Sequence, residues 1–146
     1  MDLSLDLDLV IARLDTLTSD GTLRMVGGAL DIPSAEEEVK QIPAAFVVPG
    51  RENGSGQRPV TSARQLVVES FNVVHVVSNR RGDKGVAARS ELRTLRGHTR
   101  GLLVGWSPDS EEFDTFMWER GGLLSLSQLQ LWWVDAYRTE YYVAGP

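Results

Sequence analysis

The chain has 146 residues, 20 acidic against 15 basic side chains for a formal net charge of -5, and no cysteine. That balance argues against a surface built to neutralise phosphates, and hence against a sequence-reading DNA binder. The missing thiols exclude disulfides, thiolate metal ligands and a cysteine nucleophile.

At 42% hydrophobic and 24% charged residues the composition is that of an ordinary globular protein, and the length suits a single domain, residues 1–146, with one core. Met1 to Asp8 carries three aspartates and no basic residue precedes Arg13, the opposite of a signal-peptide start. The longest apolar stretches, such as Leu66–Val68 and Val73–Val77, fall far short of the ~20 residues that span a bilayer. The expectation is an intracellular protein with no membrane partner.

Leu7, Val10, Ile11, Leu14 and Leu17 recur at helical spacing and predict a first helix from Asp6 to about Ser19, with acids at its start where the dipole favours them. Ser19-Asp20-Gly21 ends it, and Leu23 to Leu30 reads as a strand with a bulge. Ile32 to Val39 reads as a turn and one short acidic helical turn, with Ser34 as its cap. Pro43 to Gly50 is a short apolar run with proline near both ends, the pattern of a buried strand that leaves the core at Pro49. Arg51 to Pro59 has no apolar residue and three turn formers in sequence, which predicts a mobile loop or hairpin tip.

From Val60 to Ser78 β-branched and aromatic residues dominate at both parities, so this strand should be partly buried on both faces. Asn79 to Gly85 is a turn. Val86 to Leu103 interleaves leucines with Arg89, Arg93, Arg96 and Arg100; it predicts a second helix, interrupted or frayed near Gly97. Gly105-Trp106-Ser107-Pro108 ends it. Phe113 to Leu126 and Leu129 to Tyr142 complete the chain as an antiparallel pair.

Chemical motifs are weak. His75 and His98 have no companions at metal-ligand spacing, so packing and solvation are the expected roles, and no metal or cofactor is expected. Gly105-Trp106-Ser107-Pro108 lacks the second glycine of a nucleophile elbow. Gly54-Ser55-Gly56 lacks the lysine of a phosphate loop, and Gly27-Gly28 leads into no helix. Arg81-Gly82-Asp83 spells an integrin tripeptide but reads better as a charged tip. The acids Glu36 to Glu38 and Asp109, Glu111, Glu112 and Asp114 form no glycine-centred calcium loop. The arginine stripe of the second helix has no interleaved aromatics; salt bridges to a neighbouring subunit explain it at least as well. No catalytic residue is assigned, although a small hydrolase built on Ser107 stays as a remote alternative.

All four tryptophans lie at Trp106, Trp118, Trp132 and Trp133. In a strand, Trp132 and Trp133 point to opposite faces; one enters the core, and the other needs either a covering helix or another chain.

The order of segments carries a resemblance. A leading amphipathic helix is followed by Ile42-Pro-Ala-Ala-Phe-Val-Val-Pro-Gly50, a glycine-rich loop and a long strand with Phe71-Asn72-Val73-Val74. Then come Leu92-Arg-Thr-Leu-Arg96, Leu102 to Pro108, Gly121-Gly122 and Trp132-Trp133-Val134-Asp135. From Leu7 to Tyr142 this resembles the tail terminator family of long-tailed bacteriophages and prophages. The resemblance implies an α+β fold, a two-layer sandwich of mainly antiparallel sheet with two main helices packed on it. It also implies a virion structural protein that forms a homohexameric ring, either in solution or only on docking, at the head-proximal end of the tail. Its partners would be further copies of itself, the tail tube protein and a head-completion or connector protein, with DNA passing through the lumen unread. Assembly would take place in the host cytoplasm. A head-tail connector or the tube protein itself is the alternative. The family brings no transferable site residues. The candidate interface positions are therefore the tips at Arg51, Glu52 and Arg58 and at Arg80, Arg81, Asp83 and Lys84. To these are added Arg89, Arg93 and Arg96 on the second helix, and Trp118 and Trp132.

Overall fold

In the computed structural model, residues 4–55, 64–79, 83–127 and 129–144 are described. Helix α1 (Leu7–Ser19) leads, followed by strand β1 (Met25–Gly28), helix α2 (Ile32–Glu38), strands β2 (Ala44–Ser55) and β3 (Arg64–Ser78), helix α3 (Val86–Leu103), and strands β4 (Met117–Leu126) and β5 (Gln130–Ala144). They form one five-stranded sheet of order β1-β2-β3-β5-β4, parallel only between β1 and β2. The class is α+β. β3 and β5, each of 15 residues, pair along their whole length from Arg64↔Ala144 to Ser78↔Gln130.

Each helix starts where a side chain satisfies free backbone N–H groups. The Asp6 carboxylate accepts from Asp8 N at 3.0 Å and opens α1. The cap of α2 is Asp31, whose Oδ1 accepts from both Ser34 N and Ser34 Oγ; Ser34, expected as the cap, sits inside the helix. Asp83 accepts from Gly85 N at 2.8 Å and Ala87 N at 3.3 Å ahead of α3. Gly85 itself has φ 78, a left-handed conformation that glycine adopts without strain.

Four features differ from the sequence reading. β2 does not end at Pro49 but continues to Ser55, with a register shift between Pro49 and Glu52. A bulge absorbs the proline, which has no N–H to give, and polar groups replace the missing apolar ones: Arg51 N donates to Ser70 Oγ. Gly50 lets the two strands approach, since a Cβ there would meet Ser70 O at 2.5 Å. The remainder of the expected loop, 56–59, lies outside the described residues. Helix α3 runs unbroken through Gly97. A glycine costs roughly 1 kcal/mol relative to alanine, and the buried Leu92, Leu95, Thr99 and Leu103 on one face outweigh it. β1 also pairs without a bulge, and Phe113 to Phe116 form a loop ahead of β4 rather than its first residues.

The sheet separates two apolar layers. On one face α1 and α3 bring Val10, Leu14, Leu17, Leu92, Leu95 and Leu103 onto Phe71, Val73, Val77 and Tyr137; Phe71 stacks on Tyr137 at 5.6 Å and meets Phe116 edge-on at 5.0 Å. On the other face Phe46, Val48, Val74, Val76 and Trp132 pack with Ala35 of the short α2. β3 is thus buried on both faces, as its two-parity pattern predicts. Among the described residues no helix is long and apolar enough to cross a membrane.

Candidate protein interface

The charged centre of the molecule is Asp135, on β5 between Trp133 and Tyr137 on the helix-facing side. Its side chain is fully buried. Arg96 reaches it from α3 as a fork, Nε to Oδ2 and Nη2 to Oδ1, both at 2.8 Å. The indole N–H of Trp118 donates to Oδ1 at 2.9 Å and that of Trp133 at 3.3 Å. Each cation also lies on a ring, Arg96 over Trp133 at 4.5 Å and Arg100 over Trp118 at 4.4 Å, which adds a cation–π contribution. Burial pushes the Asp135 carboxyl up, but the hydrogen bonds from Arg96 and Trp118 outweigh it and hold the group below the usual carboxylate range.

Space for this centre comes from Gly121 on β4, the partner of Asp135 in the ladder. A Cβ there would collide with Asp135 Oδ1 and stand 3.0 Å from Arg96 Nη2. His75, opposite Trp133 on β3, has Nδ1 3.8 Å from Asp135 Oδ2, too far for a hydrogen bond. Its Nε2 lies 2.9 Å from Thr99 Oγ1, which in turn donates to Arg96 O at 3.3 Å. The hydroxyl is thereby left to accept from Nε2–H, and Nδ1 stays unpartnered. Burial lowers the imidazole to about 4 despite the pull of Asp135, so the ring is neutral at neutral pH.

A second polar group lies at the β2 bulge. Glu69, 8% exposed, accepts at Oε1 from Leu5 N at 3.1 Å and from Tyr141 OH at 2.7 Å. Glu52 Oε1 is 3.1 Å from the same hydroxyl. One phenolic proton cannot serve both carboxylates at once. Burial, with the neighbouring Glu52, raises the Glu69 carboxyl, and burial with Glu69 raises the Tyr141 phenol.

The expected interface positions divide among these surroundings. Arg96 and Trp118 converge on Asp135, while Arg89 and Arg93 continue the Arg96 stripe on the exposed part of α3. Glu52 is tied to Tyr141, Arg51 is exposed with its N–H on Ser70, and Asp83 caps α3 beside exposed Lys84. Trp132 is only 6% exposed and packs in the second core layer with Val74 and Val76, its indole donating to Gln130 Oε1. Arg58, Arg80 and Arg81 lie outside the described residues, as does most of the Arg81-Gly82-Asp83 tripeptide.

Ser107 Oγ donates to Phe113 O and accepts from Asp109 N, a loop-closing role, and neither histidine bonds to it among the described residues. Asp135 and Gly121 were missed as functional positions. The signal was present, since Asp135 shares the parity of Leu131, Trp133 and Tyr137, where an acid must find a buried partner.

Among the described residues, exposed large hydrophobic side chains gather on β4: Met117, Trp118, Leu123, Leu124 and Leu126. Pairing with Tyr137, Trp133 and Leu131 places Trp118, Leu123 and Leu126 on the helix-facing side, where they are 39%, 56% and 58% exposed. Surface of this kind marks contact with another macromolecule rather than a catalytic cleft. Compared with known families, residues 1–145 match the phage tail terminator protein family. The chain belongs to the phage tail terminator family. It is accordingly a structural protein of the virion tail. A solved chain from the virion of a native gene transfer agent particle shares the fold, with a TM-score of 0.54 at 12% identity over 92% of each chain. No protein of curated function matches the chain in sequence.

Proposed function

We propose that this tail terminator caps the tail tube as a homohexameric ring at its head-proximal end, stops tube polymerisation and offers its opposite face to a head-completion or connector protein. The observation that carries this reading is the family match over residues 1–145. Physical features support it. A growing tube end is a self-propagating heterologous interface, and a ring stops growth when one of its faces complements the tube and the other does not. The sheet has unlike edges, four-residue β1 under α1 and ten-residue β4, which a head-to-tail contact can set against one another. The net charge of -5 suits a lumen through which DNA passes without adhering.

In this reading Arg51 and Glu52 at the β2 bulge, with Arg58, Arg80, Arg81, Asp83 and Lys84, make axial or luminal contacts. Arg89, Arg93 and Trp118 belong to contacts around the ring, each burying more than ~1,000 Å² in total. Arg96 and Trp132 hold those surfaces in shape from within. Assembly takes place in the host cytoplasm.

Light scattering of the purified protein over a range of concentrations tests the reading. A discrete species of about six times the 16.1 kDa chain is expected. Unlimited growth would assign the chain to the tube instead, and a different closed number would favour a connector.

A further inference from the structure

Five strands spaced ~4.8 Å apart make a sheet ~24 Å wide, whereas two helices of ~10 Å diameter cover ~20 Å. α1 lies over β1 and β2, and α3 over β3. On the helix-facing side of β4, Arg100 lies over Trp118, while Leu123 and Leu126 stay more than half exposed, and these three side chains are the floor of a shelf. Its wall is α3. Arg96 and Arg100 reach from α3 to Trp133 and Trp118, and the same stripe continues towards the helix start through exposed Arg89 and Arg93, the direction in which β4 runs from Trp118 at Arg100 to Gly121 at Arg96. An apolar floor with a basic wall fits a helix that carries acids.

The chain has such a helix at its other edge. α1 exposes Asp8 and Asp15 on one face, two turns apart. Its basic residue, Arg13, is turned inward, with Nε donating to Leu102 O at 2.6 Å and the guanidinium 4.6 Å over Trp106. α1 and the shelf lie on the same face of the sheet at opposite edges. A second copy set edge to edge therefore brings its α1 against the open side of the shelf without turning over, a head-to-tail contact that repeats around a ring.

We propose that the β4 shelf is the seat for α1 of a second copy, with Arg89 and Arg93 facing Asp8 and Asp15. The contact stands on the complementarity of the two edges; only the number of copies at which it closes rests on the ring reading above.

The cysteine-free sequence permits a clean test. Chains carrying Asp15→Cys and chains carrying Arg93→Cys, both at exposed positions, are mixed and treated with a short bis-maleimide linker. Glu37→Cys on α2 serves as the control. The expected result is a mixed Asp15→Cys/Arg93→Cys dimer that predominates over either same-variant dimer and over control pairs. Reversing the wall with Arg89→Glu and Arg93→Glu should abolish the assembly of otherwise native chains, or raise its half-assembly concentration about tenfold, and adding Asp8→Arg and Asp15→Arg should restore it. Same-variant dimers of the Arg93→Cys chain in equal yield would mean a two-fold contact and overturn the proposal, as would mixed dimers no more abundant than the controls. A closed ring of native chains without the mixed cross-link rejects the seat and keeps the ring, whereas the mixed cross-link with open, unlimited chains rejects the ring and keeps the seat.

Discussion

Asp135 and Glu69 are both buried carboxylates of the central strands, yet their surroundings push them in opposite directions. Asp135 receives a bidentate guanidinium and two indole N–H groups and is held in its charged form, below the usual carboxylate range. Glu69 receives one backbone N–H and a share of one phenolic proton, with a second carboxylate beside it, and is driven towards the neutral form. The difference teaches that burial alone does not set the state of a carboxyl group; the number of donors aimed at it does. It also separates their roles, since the Asp135 centre ties α3, β4 and β5 together beneath the β4 shelf, while the Glu69 group fastens Leu5 and the β2 bulge.

The largest effect should follow Asp135→Ala. It strands the part-buried Arg96 guanidinium and two indole donors, a loss of up to about 3–5 kcal/mol, read as a large fall in the denaturant midpoint or Tm. An effect below ~1 kcal/mol would show the centre to be dispensable.

His75 sharpens the comparison through pH. Its folded value is depressed from 6.5 to about 4, so between those values the unfolded chain binds a proton that the folded one does not. Stability must therefore fall as pH drops from 6.5 towards 4, by up to about 3 kcal/mol. Asp135, also depressed, keeps its own contribution above its unfolded value and loses it only as pH falls through the lower folded one. Urea midpoints measured across this range should show the step, and His75→Gln should flatten it.

Gly121→Ala should cost about 1–3 kcal/mol by forcing a methyl group against Asp135 and Arg96, whereas Gly122→Ala, which has open space at the Cβ, should cost under ~1 kcal/mol. Equal losses would remove the special role assigned to Gly121. The smallest effect is expected for Glu69→Gln. A raised carboxyl contributes most below its unfolded value and loses that contribution as pH rises through the folded one, so at neutral pH the charge is a burden. The substitution should change stability by less than ~1 kcal/mol there, and a loss as large as that of Asp135→Ala would contradict the contrast.

Much of this framework was legible in the sequence. The spacing of Leu7, Val10, Leu14 and Leu17 located α1, and the two-parity run through Val73, Val74, Val76 and Val77 foretold burial of β3 on both sides. What escaped depended on partners distant in sequence. The extension of β2 through Arg51 and Glu52 is held by Ser70 and Tyr141, which no local pattern announces. The stripe of α3 was visible, but its division into Arg96, committed to Asp135, and Arg89 and Arg93, left outside, required the sheet register. Trp118 and Trp132 looked alike as candidate anchors; Trp132 is buried in the second core layer, whereas Trp118, under Arg100, stays 39% exposed on β4.

The capping role has one direct test, namely electron microscopy of tubes polymerised from the tail tube protein with and without this chain. The account predicts that the chain bounds tube length and appears as a ring at one end only. Tubes that grow equally long in its presence, with bare ends, would contradict it.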